Sequence, residues 1–85
     1  MTVSVLVRYF ASARAAAGVE EEVLQLPAGA SVAEAVVALR DLHPETLPRI
    51  LQAASFLVDG VAVRDRSRPL PEGAELDVLP PFAGG

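Results

Sequence analysis

The sequence predicts an α+β domain, a mixed sheet of about five strands packed on one face by one main helix. Three observations carry that prediction. Strand-like alternation appears near both ends of the chain, a single strongly amphipathic helix lies between, and the elements run strand, strand, helix, strand, strand, strand. A length of 85 residues allows one domain. With 52% hydrophobic and 21% charged residues, the chain has material for a core and lacks the composition of disorder.

The elements follow in order. Val3 to Phe10 alternates, with Val3, Val5 and Val7 on one face and Leu6 and Phe10 on the other. An Ala-rich segment, Ala11 to Ala17, ends at Gly18, the usual residue for a helix C-terminus. Glu22 to Leu26 alternates again, and Pro27 and Gly29 punctuate a turn. Ser31 with Glu34 three residues later is a capping box, each side chain bonding the other residue's free amide. Val32, Ala35, Val36, Leu39 and Leu42 then repeat at helical spacing, and Pro44 stops the helix at or before His43. Thr46 to Ala53 predicts a shorter helix with Leu47, Ile50 and Leu51 inward. Phe56 to Val58, Asp59-Gly60 and Val61 to Val63 predict a hairpin with a two-residue turn. Arg64 to Gly73, polar and broken by Pro69 and Pro71, predicts a loop, and Glu75 to Leu79 a last strand with Leu76 and Val78 opposite Asp77 and Leu79. Residues 1–79 are thus the folded domain and 80–85 an extended tail.

Composition excludes several chemistries. Cysteine is absent, so disulfides, thiol catalysis and Cys-ligated zinc are ruled out, and the single histidine, His43, leaves no metal-binding or triad cluster. All seven basic residues are arginine, against eleven acids, so no lysine is present to accept an isopeptide or form a Schiff base. A net charge of −4 without a basic stripe argues against nucleic acid and for partners with basic surfaces. No apolar run is long enough for a membrane helix, and the alternating N-terminal stretch is no secretory signal, so a cytoplasmic module is expected. Glu20 to Glu22 reads as a solvated edge and His43 as a residue favoured by the helix dipole. The run Arg64, Asp65, Arg66, Arg68 reads as a solvated loop, with partner docking as the alternative.

Pro80-Pro81-Phe82-Ala83-Gly84-Gly85 is different in kind. Two prolines fix an extended exit that cannot continue the sheet pairing, and two glycines leave a thin, bendable thread. Extended at ~3.3 Å per residue, it reaches about 20 Å. Its tip is the α-carboxylate of Gly85, a group suited to entering a narrow tunnel where any Cβ would clash.

Tyr9-Phe10-Ala11 with Arg14 and Gly18, Leu70-Pro71-Glu72-Gly73-Ala74-Glu75-Leu76, and the tail from Leu79 to Gly85 resemble the ubiquitin-like β-grasp sulfur carriers. Among these the resemblance is to the small subunits of molybdopterin synthase, and it covers nearly the whole chain. It implies a β-grasp fold and a carrier that is not an enzyme by itself and binds no cofactor. An adenylating partner, using ATP and magnesium, would activate the Gly85 carboxylate. A sulfur donor protein would convert it to a thiocarboxylate, and the large synthase subunit would receive the inserted tail (Pro80, Pro81, Phe82, Ala83, Gly84). The sulfur would pass there to cyclic pyranopterin monophosphate, within a heterotetramer of two small and two large subunits. Phe10, Arg14 and Leu79 match positions that contact the large subunit. Ordering four tail residues costs roughly 1 to 2 kcal/mol each, so the domain must add an apolar docking patch, expected on the exposed sheet face. Alternatives are a carrier for thiamine, tRNA thiolation or cysteine synthesis, a ubiquitin-like protein modifier, or a β-grasp adaptor with an inert tail.

Overall fold

The first and last strands lie side by side at the centre of the sheet. In the computed structural model, which describes residues 1–81, β1 (Thr2–Tyr9) pairs parallel with β5 (Glu75–Leu79), from Leu6↔Glu75 to Tyr9↔Val78. β2 (Glu21–Pro27) flanks β1 antiparallel, β3 (Ser55–Val58) flanks β5 antiparallel, and the short β4 (Val61–Ala62) forms the far edge. The order β2-β1-β5-β3-β4 is the mixed five-stranded sheet that the sequence predicts. The expectations placed on Phe82, Ala83, Gly84 and Gly85 lie outside the described residues.

Three helices interrupt the strands: α1 (Ser12–Ala17), α2 (Val32–Leu42) and α3 (Leu47–Ala53). α2 begins as its residues dictate. Ser31 Oγ accepts from the Glu34 amide at 3.1 Å, and Glu34 Oε1 accepts from the Ser31 amide at 2.9 Å. Val32, Ala35 and Leu39 are buried, whereas Leu42, placed by its spacing on the same stripe, is 52% exposed at the terminal turn. There it borders an open recess with Ala16, Ala17 and Pro44 instead of the core. The core fills the space between these helices and Val5, Val7, Phe56, Leu76 and Val78 of the sheet.

The predicted turns form for the predicted reasons. Asp59 and Gly60 both have positive φ, 50° and 84°, as the two-residue hairpin turn requires. Gly18 caps α1 at φ 80°, its amide reaching the Arg14 carbonyl at 2.9 Å. The loop from Arg64 is less free than its composition suggests. The Val32 and Ala33 amides, unpaired donors at the start of α2, bond the carbonyls of Arg68 and Arg66. The Arg66 guanidinium reaches the Ala54 carbonyl at 3.3 Å and lies 4.8 Å from the Phe56 ring centre. This arginine is therefore a tether of the loop to the domain.

Replacing Ser31 with Ala removes a cap whose side chain is largely buried. The expected loss is about 1 kcal/mol, read as a lower urea midpoint with an unchanged denaturant slope.

Candidate docking face and arm

Strand alternation leaves one sheet face without helices. Leu6, Arg8, Val23, Leu57, Glu75, Asp77 and Leu79 share it, as the registers Leu6↔Val23, Leu6↔Glu75, Arg8↔Asp77, Leu57↔Asp77 and Ser55↔Leu79 require. Leu6, Leu57 and Leu79 are half-buried, and Val23 is 60% exposed. The sheet thus presents aliphatic side chains on its helix-free side, as the docking argument expects.

Phe10 lies one residue beyond β1 as the structure bounds it, because the chain turns there. Its amide still bonds the Val78 carbonyl at 3.2 Å, and its carbonyl accepts from Ala13 at 3.0 Å to close a turn. Ala11 sits at the first central position of that turn with φ 50° and ψ −124°, a conformation normally left to glycine. Such strain costs on the order of 1 to 3 kcal/mol and here marks the corner between sheet and α1. Phe10 stays half-buried, 5.4 Å from the Arg8 guanidinium, and so belongs to the open side of the sheet. Leu79, at the end of the adjacent β5, is half-buried too, as is Pro80, and Pro81 is exposed. Phe10, Leu79 and the two prolines therefore gather at one end of the sheet. Arg14 is exposed on α1 and forms no ion pair among the described residues. The structure places it on α1, the element that follows Phe10 in the chain.

Sequence reasoning missed two polar clusters. Glu22, expected on a solvated edge, is largely buried. It accepts from the Tyr9 hydroxyl at 2.5 Å and pairs with His43 Nε2 at 2.6 Å. Burial first, then the Glu22 hydrogen bond and charge, holds the Tyr9 hydroxyl protonated well above the usual phenol range. His43 thus closes a polar latch between β1, β2 and the end of α2, in addition to sitting at a helix terminus. The alternation of β2 contained the signal, since Glu22 falls on the face of Leu24 and Leu26.

The second cluster centres on Asp77. It is 7% exposed, and its Oδ1 is the buried side-chain polar atom left without a hydrogen-bond partner among the described residues. Burial pushes its carboxyl above the ordinary aspartate range, helped by Glu75 and Asp59 and opposed by Arg8. Arg8 itself reaches Glu75 at 3.3 Å and Glu21 at 3.9 Å. Elsewhere, a cavity of about 340 Å³ opens between the β3–β4 hairpin and the 64–71 loop, lined by Val61, Leu70, Arg64 and Arg68 among others. Among the described residues no three His, Asp or Glu side chains are grouped to hold a metal ion, and no helix is long and apolar enough to cross a membrane.

Comparison with known proteins places this geometry among relatives. The model of the ThiS family matches residues 7–85. The molybdopterin synthase sulfur carrier subunit of Chlamydomonas reinhardtii is 31% identical over 80 residues, covering 93% of this chain and 95% of that one. A Pyrococcus furiosus structure described as molybdopterin converting factor, subunit 1, superposes with a TM-score of 0.85 at 30% identity, over 94% of this chain and 99% of that one. SAMP1 of Haloferax volcanii gives 0.84 at 26% identity, over 96% and 99%. Subunits 1 and 2 of the molybdopterin-converting factor of Helicobacter pylori, solved as a complex, give 0.69 at 24% identity over 98% and 100%, a likeness of fold.

The Asp77 environment sets a pH dependence. Its carboxyl holds the proton more tightly when folded, so its contribution to stability is full below the unfolded range and is lost as pH rises from about 4 through the raised folded value. Asp77→Asn should therefore be more stable than the native sequence at pH 7, by about 1 kcal/mol. The gap should close towards pH 3, a trend read from urea unfolding across the pH series.

Proposed function

This chain belongs to the ThiS family, and from that membership we propose that it is a sulfur carrier serving molybdopterin synthase, loaded and unloaded at the Gly85 carboxylate. One observation carries the reading. β5, held at the sheet's centre between β1 and β3, ends with Leu79, Pro80 and Pro81 at the same end of the sheet as Phe10, which supports a docking patch close to the start of the tail. The sulfur-carrier name of the Chlamydomonas reinhardtii relative supports the same role.

The chemistry follows from the carboxylate. Its oxygen is a poor leaving group, so replacement by sulfur needs prior activation. A Gly85 oxygen attacks the α-phosphorus of magnesium-bound ATP in an adenylating partner, and pyrophosphate leaves. Sulfide-level sulfur released from a sulfur donor protein then attacks the carbonyl carbon and AMP leaves with one carboxylate oxygen, so one oxygen is exchanged for one sulfur. The thiocarboxylate sulfur is the nucleophile delivered to the pyranopterin precursor inside the large subunit, where a carbon–sulfur bond forms as a carbon–oxygen bond of the precursor breaks and its oxygen leaves. Hydrolysis of the resulting thioester-like link returns the carboxylate, and two carriers are consumed for a dithiolene. The role of this chain is to dock, through Phe10, Leu79 and Arg14, and to thread an arm narrowed to glycine at Gly84. Arg14, without a pairing partner in its own domain, suits a carboxylate across the interface.

The likeness to SAMP1, whose class is that of a modifier protein, supports a second reading in which the activated Gly85 carboxyl is joined to a lysine of another protein. This chain has no lysine of its own, so such conjugates would not extend by self-linkage.

Intact mass after co-expression with an adenylating enzyme and sulfur donor tests the role. The expected product shows one sulfur-for-oxygen exchange, and deletion of Gly85 abolishes it while leaving the melting temperature unchanged. A truncated chain that still gains sulfur would overturn the assignment, and heavier lysine-linked adducts would favour the modifier reading. Phe10→Ala should weaken binding to a large synthase subunit by about 1 to 2 kcal/mol, measured by titration calorimetry with little change in the fold.

A further inference from the structure

The open face carries more negative charge than its own cation can match. Glu21, Glu75 and Asp77 share it with Arg8, which hydrogen-bonds Glu75, forms a looser ion pair with Glu21 and makes none with Asp77. Asp77 lies in register between Arg8 of β1 and Leu57 of β3, at the middle of the aliphatic patch. At 7% exposure its Oδ1 is a buried acceptor atom without a donor, and the carboxyl's hydrogen bond with Glu75 favours the protonated form. Such a group destabilises the free domain. A wholly apolar partner closing over the face would strip the remaining water from this surplus charge and worsen that penalty. A partner that brings a cation repairs it.

We propose that the partner docking on this face carries a lysine or arginine within its apolar patch, and that Asp77 with Glu75 receives that side chain. The inference rests on the docking role above and adds to it the chemistry of the partner. Three features favour a basic group. The chain is acidic overall, the local surplus is negative, and the orphan atom is an acceptor. Access requires a neighbour on the same face to move. Arg8, directly across the pairing, is 41% exposed and held by ion pairs of 3.3 and 3.9 Å, so it is the side chain placed to turn aside.

The charged groups that bear on Asp77 are Glu75 on its own strand, Arg8 on β1 and Asp59 at the β3–β4 turn, whose Oδ1 accepts from the Glu75 amide at 3.0 Å. An incoming cation favours the ionised carboxylate, so docking expels a proton at any pH where the folded carboxyl still holds it. That release separates pairing from a merely structural role for Asp77.

The test is calorimetric titration of the full chain into a purified large synthase subunit, at neutral and mildly acidic pH, in two buffers of different ionisation enthalpy. Asp77→Asn is expected to weaken binding at least about tenfold and to remove the proton release, while the free variant melts no lower than the native chain. Glu75→Gln, at a more exposed position, gives the same test should Asp77→Asn fold poorly, with a loss of about threefold or more. Equal or tighter binding by the variants overturns this inference alone. Failure of the native chain to bind overturns the docking role and this inference with it. Self-association that Asp77→Asn abolishes would assign the cation to a second copy of this chain and also overturn the proposal.

Discussion

The parallel pairing of β1 with β5 is the constraint on which the rest of the structure depends. Parallel neighbours cannot be joined by a tight turn, so every intervening element must serve as the crossover between them. The helices cover one face of the central pair, and β2 and β3 cover its two edges. Because the two strands run the same way, the end of the first and the end of the last arrive at the same side of the domain. Phe10 and Leu79 are thereby neighbours although 69 residues separate them in the chain.

The register of that pair is held as much by polar contacts as by the core. Ser4 donates its amide to Glu72 Oε1 at 3.1 Å, and its carbonyl receives the Gly73 amide at 2.8 Å, just before β5 begins. Asp59 exchanges bonds with Glu75 through both its amide and its side chain. The loop between β4 and β5 supplies carbonyls to the first amides of α2, so one segment caps the main helix and positions the last strand. A slip of one residue in β5 would break these bonds and move Leu76 and Val78 out of the core.

The domain offers shape, an aliphatic face and a strained corner at Ala11, where a left-handed residue turns the chain from the sheet into the helix that carries Arg14. Its polar latch of Tyr9, Glu22 and His43 lies on the helix-covered side of the sheet, opposite the open aliphatic face. Asp77 is the exception, a poorly satisfied carboxylate set in the open, largely aliphatic face. Local satisfaction nearly everywhere makes a single orphan on that face informative.

By itself the sequence determined the element types, the capping box at Ser31 and the Asp59-Gly60 turn. Each of these rests on interactions among residues a few positions apart, which a linear reading contains. Tertiary structure alone decided which strands are neighbours, that Glu22 meets Tyr9 and His43, that Arg66 tethers a loop, and that Leu42 stays outside the core. It also decided that Asp77, which alternation places opposite Leu76 and Val78, is buried with its Oδ1 unpartnered. These outcomes depend on contacts between residues far apart in sequence, whose burial and pairing exist only once the crossover has closed the sheet.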